Sequence, residues 1–404
     1  MLKETVKYDL LSPSFYAAPD ATLHRMRAEN PIYWHPELEA WILTRYDDIQ
    51  CVIRDPRFSV DRGGQIGKGR SVRVQDKLDF CNHFFAQRMV FSDPPRHTHL
   101  RTLVARAFTP HLADSLQPAI ARFANELLDR VRDVGRMDII GDFAGPLPAL
   151  VTAQMLGIPR EHIPDLKRWS SDMFGLFGAG LATDEVVEAT YQSLIACREY
   201  FEAQIAQRRK NPGNDVICKL IAVEEQGSKL SEEEIIGACI TLMAGAYETT
   251  TYLICNGLLA LLRHPAQLQR LRENPTLIDS AVEEFLRYDG PALSVVRRAI
   301  EDTEIGGKCL RTGQKIYCML HAGNRDPARF PEPDRLDIDR KDNRHLGLGL
   351  GIHFCLGAVL TRIETKIAIN TIVQRLPELR LDTDELTWVP NLAMRGLQAL
   401  PVAF

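Results

Sequence analysis

Residues 345–357 read HLGLGLGIHFCLG: glycines at 347, 349 and 351, then His353 and Cys355, ahead of a stretch (357–376) with the apolar spacing of a helix. The alternating glycines suggest a dinucleotide loop, but Gly-x-Gly-x-x-Gly would require glycine at Ile352 or Phe354. His353 and Cys355 have zinc-ligand chemistry, yet no second Cys or His pair stands nearby at a finger spacing. What remains is a single cysteine at the mouth of a helix. The helix presents free N–H groups and its positive end to the sulfur, and the glycines let backbone N–H groups come close, which favours a thiolate. Alone, such a cysteine is more often a small buried hydrophobe, so its reading depends on the company it keeps.

Upstream, residues 235–262 (IIGACITLMAGAYETTTYLICNGLLALL) carry one charge, Glu248, over about 42 Å of helix at ~1.5 Å per residue. That is long enough for a membrane span. An acid and three successive threonines at its centre argue instead for a helix through a soluble core. Ser231 followed by Glu232, Glu233 and Glu234 forms a capping-box start, and His264-Pro265 ends the helix. Amphipathic helices are predicted at 112–134, 184–209, 266–273, 276–288 and 357–376, with strands at Ala40–Thr44, Ser294–Ala299, around 315–320 and within 379–404. The expected fold is mainly α with small β-sheets. No linker or repeat divides the chain, so residues 1–404 are read as one domain. Ser59–Ser92 and Trp169–Leu181 read as irregular, of the kind that forms binding loops.

Among 404 residues, 49 Lys and Arg against 53 Asp and Glu give a formal net charge of -4, which excludes the basic field that nucleic-acid binding needs. The nine cysteines are scattered and never spaced Cys-x-x-Cys, as expected of a reducing compartment. With charges among its first residues and no apolar run there, the chain is expected to be cytoplasmic and monomeric.

Taken together, these residues resemble the cytochrome P450 haem-thiolate monooxygenases, whose cysteine loop has the form Phe-Gly-x-Gly-x-His-x-Cys-x-Gly; Leu348 to Gly357 match it except at Leu348. The resemblance implies that fold, with a long central helix over haem b. Cys355 becomes the axial ligand of the iron, in a loop with Leu348, Gly349 and Gly357, and His353 reaches a haem propionate. It assigns His97 and Arg101, one turn apart in DPPRHTHLR, to the propionates, with Arg297 as a third partner. Without the resemblance, such a pair is an ordinary solvated one. Glu284 and Arg287 in EEFLR, a surface ion pair on their spacing alone, become a buried pair locked by Arg335 of PEPDRLD. In the long helix the resemblance gives Ala246 and Gly245 the space for dioxygen, and Glu248 with Thr249 an acid–alcohol pair that relays protons. Leu348 replaces a phenylalanine that shields the sulfur, a change that bears on reduction potential.

By analogy with the family's substrate-contacting segments, the apolar pocket is drawn from Phe84, Phe85, Phe177, Leu242, Tyr247, Leu293, Val295, Leu392 and Met394, with Phe80, Trp169 and Phe174 beside them. Lys68, Arg70, Arg73, Lys77 and Arg88 make a local basic excess, usually solvated surface, from which one residue could hold a substrate carboxylate. Electrons are expected from a separate ferredoxin or flavodoxin and its reductase, docking near Arg106, Arg344, Arg362 and Lys366. The reaction expected is insertion of one oxygen atom from dioxygen into a natural-product, terpenoid or fatty-acid-like molecule. A peroxide-driven peroxygenase of the same fold and a non-catalytic haem sensor are the alternatives, and the acid–alcohol pair weighs against both.

Overall fold

The computed structural model describes residues 8–61, 72–177, 183–225 and 228–404. Shorter helices at Pro13–Ala17, Pro19–Glu29 and Tyr46–Arg54 precede those that build the site. These are labelled α1 (Gln75–Ala86), α2 (Arg96–Ala107), α3 (Pro110–Val131), α4 (Pro146–Leu156), α5 (Ile163–Phe177), α6 (Asp184–Lys210), α7 (Glu232–Arg263), α8 (Ile278–Tyr288) and α9 (Ala358–Arg375). Helices α1 and α5 occupy much of the two stretches read as irregular; tertiary packing makes helix of sequences whose Gly and aromatic content blurs the apolar period.

Helix α7 is the axis. Ser231 and Glu234 cap its start reciprocally, each side chain accepting the other's backbone N–H at 3.3 and 2.9 Å, so orphan donors are satisfied where three acids meet the positive end of the dipole. Its threonines are accommodated by bonding back to carbonyls: Thr241 to Gly237, Thr249 to Gly245 and Thr251 to Tyr247. Twenty of its side chains are buried, as a core helix requires. The helical stretch among the described residues that is long and apolar enough to cross a membrane is Ile139–Leu156, and 67% of it is buried inside the protein.

A five-stranded sheet flanks the helices, with β1 (Ile32–His35), β2 (Ala40–Leu43), β3 (Phe58–Ser59), β4 (Val295–Ala299) and β5 (Lys315–Cys318) in the order β1-β2-β5-β4-β3. The β5 strand runs parallel to β2 and antiparallel to β4, which sets Ile316 opposite Arg297 and Lys315 opposite Arg298. Strand alternation therefore sends the two arginines to opposite faces. The C-terminal region forms only the short strands Arg380–Leu381 and Pro401–Ala403.

Between sheet and helices lies a buried polar knot. Glu284 and Arg287, both 0% exposed, pair at 2.7 and 2.8 Å. The remaining Arg287 donors reach the carbonyls of Asn324, Pro333 and Arg335, so all five of its N–H groups are used. The third member is Arg340, whose Nε donates to Glu284 at 3.1 Å, and not Arg335. The Arg335 guanidinium is exposed and pairs with Glu332; it contributes only its carbonyl. A turn spanning 331–340 carries Arg335 outward and brings Arg340 back, a geometry that spacing along the chain does not reveal.

Glu284→Ala, which strands two buried cations, should cost about 3–5 kcal/mol, Arg340→Ala about 1–3 kcal/mol and Arg335→Ala less than about 0.5 kcal/mol. Urea midpoints of the three variants check the order, and equal losses for Arg335 and Arg340 would overturn it.

Candidate active site

The cysteine loop hangs between two apolar cores. Leu346 is buried in the core at the sheet and Leu350 packs against it, while Leu348 and Leu356 pack against the helical core. The intervening Gly349 and Gly351 adopt φ of +70° and +67°, a region L side chains resist. Leucines pinned to alternate cores thus need left-handed glycines between them. Backbone bonds close the loop, from Gly349 N to Leu346 O at 2.8 Å and from Cys355 N to Leu348 O at 2.9 Å.

Cys355 faces a cavity of about 180 Å³ roofed by α7 through Thr241, Leu242, Gly245, Ala246 and Thr250 and floored by Leu356, Gly357 and Leu360. A methyl group on Gly245 would meet nothing within 4 Å, so the helix is open there. Burial pushes the Cys355 thiol up, and the hydrogen bond from Gly357 N–H offsets only part of that. A cation bound at the sulfur would favour its thiolate form.

Around the cavity and the recess beside it stand four basic side chains that form no ion pair among the described residues, while one acid, Glu364 of α9, also lines the cavity. His97 is buried with neither ring nitrogen bonded, 4.1 Å in ring separation from His353, whose Nε2 is also unpartnered. Arg101 donates to the Phe354 carbonyl and Arg297 to the Val296 carbonyl, at 2.8 and 3.0 Å, and neither forms an ion pair among the described residues. Burial draws all four down, His353 to about 3. Arg298, by contrast, turns out to the Asp61 carbonyl at 2.9 Å. Two buried basic side chains, His97 and Arg297, and two half-buried ones, Arg101 and His353, none paired with an acid among the described residues, fit an anionic group bearing carboxylates, and a sulfur opposite them fits a soft metal. This donor set fits haem.

The acid and the alcohol occupy different faces of α7. Thr249 bonds to its own helix, whereas Glu248 accepts from Ser171 of α5 and from Tyr252. No bond joins Glu248 to Thr249. Burial raises the Glu248 carboxyl above the ordinary range. It borders a second, more polar cavity, about 390 Å³, with Ser171, Tyr247, Tyr252, Asn391 and Met394. Tyr247 lines this cavity and not the one at the cysteine, because successive helix residues are about 100° apart, and Met394, from the C-terminal segment bridged to Ala292, lines it from the other side.

The other pocket candidates are also redistributed. Leu242 lines the cysteine cavity, and Val295 lines an adjoining recess with Arg297 and His353. Phe84, Phe85, Leu293 and Leu392 are core residues that line neither cavity, with Phe84 stacked under Arg88. The side chain of Phe177, and Lys68 and Arg70, lie outside the described residues. Met89, Val90 and Glu364 line the cysteine cavity without having been foreseen. Glu364 was legible, since Gly357, Leu360, Thr361 and Glu364 follow the i, i+3, i+4, i+7 rule.

On the cysteine side, Arg362 is held by Glu283 at 2.6 and 2.9 Å, Lys366 by Asp279 and Arg344 by Asp342. The basic residues expected to meet an acidic partner are thus largely neutralised within the protein. Exposed Ile352 and Phe354 lie beside the cysteine instead.

A family model described as cytochrome P450 matches residues 154–391. The chain belongs to the cytochrome P450 family. It is 39% identical over 402 residues to a biotin biosynthesis cytochrome P450 of Bacillus subtilis, covering 99% of this chain and 100% of that one. It is 37% identical to the cytochrome P450 monooxygenase PikC of Streptomyces venezuelae, over 97% of this chain and 92% of the relative. Among solved structures, P450BioI in complex with hexadec-9Z-enoic acid ligated acyl carrier protein superposes with a TM-score of 0.90 at 38% identity, covering 97% of this chain and 100% of that chain. This P450 is therefore an oxidoreductase of the monooxygenase type, with a haem-thiolate family cofactor.

Glu364 is fully buried with Oε2 unbonded, and burial alone pushes its carboxyl up to about 8. A raised acid stabilises the folded state below the ordinary carboxyl range and loses that contribution as pH rises toward 8, by at most ~1.4 kcal/mol per pH unit. Glu364→Gln should flatten the fall in urea midpoint between pH 5 and pH 8; an unchanged slope would refute the assignment.

Proposed function

We propose that this P450 inserts one oxygen atom from dioxygen into a hydrophobic, fatty-acid-like or natural-product substrate, drawing two electrons from a separate ferredoxin or flavodoxin. Haem b would supply a redox-active iron, and thiolate ligation of that iron favours O–O cleavage. Cys355 at the mouth of α9 would hold the iron, and His97, Arg101, Arg297 and His353 would hold the propionates. The observation that carries this reading is the cavity with its adjoining recess, where four basic side chains with no ion pair among the described residues stand around a cysteine beneath an open stretch of helix.

The remaining roles follow from placement. Gly245 and Ala246 leave room for dioxygen opposite the sulfur, and Met89 and Leu242 keep water from the substrate side. Glu248 takes a proton from the polar cavity on the far face of α7, where burial raises its carboxyl above the ordinary range and so favours the protonated form. Thr249 passes a proton inward by turning its hydroxyl from the Gly245 carbonyl. Kinship to a biotin-biosynthesis enzyme and to a protein crystallised with an acyl-loaded carrier protein supports a long-chain substrate.

The dithionite-reduced protein under carbon monoxide should show the Soret band that names the family, and Cys355→His should lose it. Glu248→Gln should keep the band and slow product formation by about 10²-fold, with electrons diverted to peroxide. A variant that turns over like the wild type would remove the acid from the relay.

A further inference from the structure

We propose that Arg88 anchors a carboxylate of the substrate, which makes long-chain anionic amphiphiles the substrate class; the inference rests on the monooxygenase reading and adds the polar end of the molecule to it. Arg88 follows α1 and is 5% exposed, yet it has no carboxylate partner. Its guanidinium lies 3.6 Å from the Phe84 ring centre, one terminal N–H reaches the Glu233 carbonyl at 3.2 Å, and Nε–H is unbonded. The neighbouring acids are committed elsewhere: Glu233 to Arg198, and Glu234 to the Ser231 N–H of its own cap. A buried cation left so incompletely satisfied is costly unless a ligand completes it.

The surroundings are built to admit that charge. A Cβ on Gly237 would lie 2.1 Å from Arg88 Nη1, so only glycine lets the guanidinium lie against α7 at this point. Arg88 lines a narrow cleft of about 20 Å³ with Gln87, Glu234, Leu100, Val104 and Ala238, and that cleft shares Met89, Thr241, Leu242 and Leu356 with the cysteine cavity. The Glu234 carboxylate is held by its cap, Arg88 is the cation of the cleft, and the walls leading to the sulfur are largely apolar. Eight residues of α7 separate Gly237 from Gly245, about 12 Å at ~1.5 Å per residue. An extended chain of roughly eight to ten carbons, with bonds of ~1.5 Å, crosses that interval. Among the described residues the other basic candidates do not serve: Lys77 is bonded to Glu188 and Arg73 is exposed.

The test titrates haem-loaded protein with tetradecanoic acid and with its methyl ester, following the spin-state shift of the Soret band. Wild type should bind the acid at least ~10-fold more tightly than the ester, as a charge-assisted bond implies. Arg88→Gln should weaken the acid by ~10-fold or more and leave the ester unchanged, and Arg88→Lys should restore part of the preference. Equal affinity for acid and ester in wild type would overturn the proposal, as would an equal loss of both in Arg88→Gln, which marks a core role. Carbon monoxide spectra of the same samples separate the two readings. A normal band without acid preference removes Arg88 alone, whereas no band in wild type removes the monooxygenase reading with it.

Discussion

The Glu284–Arg287–Arg340 knot is the constraint on which the cysteine loop depends. A guanidinium with all five donors used inside the protein fixes three carbonyls, at Asn324, Pro333 and Arg335, relative to α8. Asn324 in turn accepts the Leu346 N–H at 2.6 Å, the first residue of the leucine–glycine alternation. The position of the sulfur is thus set by a chain of bonds that begins on a helix about 70 residues earlier. A buried ion pair of this kind contributes little net stability, since desolvation offsets its Coulomb gain. What it supplies is a single geometry.

Around that geometry the site divides its electrostatics. Basic side chains with no ion pair among the described residues stand around the cysteine cavity, with the Glu364 carboxyl as the one acid in its lining, while the buried carboxyl of Glu248 opens onto the polar cavity across α7. The division comes from helical periodicity: Thr241, Leu242, Gly245 and Ala246 take one face and Tyr247, Glu248, Thr251 and Tyr252 another. One helix therefore separates the region where oxygen fits from the region where water-borne protons arrive.

Much of this was legible in the sequence. Cys355, His353, His97 and Arg101 lie in short motifs whose spacing survives folding unchanged, and the alternation of a strand decides between Arg297 and Arg298 once the strand is found. The capping box and the core helix were equally plain, because both are local. Arg340 was not legible, because its partner is chosen by the path of an irregular turn rather than by spacing. Tyr247 and Met394 were placed by analogy with the family's substrate-contacting segments, and the structure sets them on the polar cavity instead. The aromatics of α1 became core because their helix packs against α6, a long-range choice that composition does not encode.

The bond between Ser171 and Glu248 gives α5 a mechanical meaning. A helix near the protein surface and an acid inside it are joined by a single hydroxyl, so any rigid-body shift of α5 acts as a lever on the microenvironment of that carboxyl. Disturbances at the α5–α6 packing, remote from the sulfur, become audible at the acid.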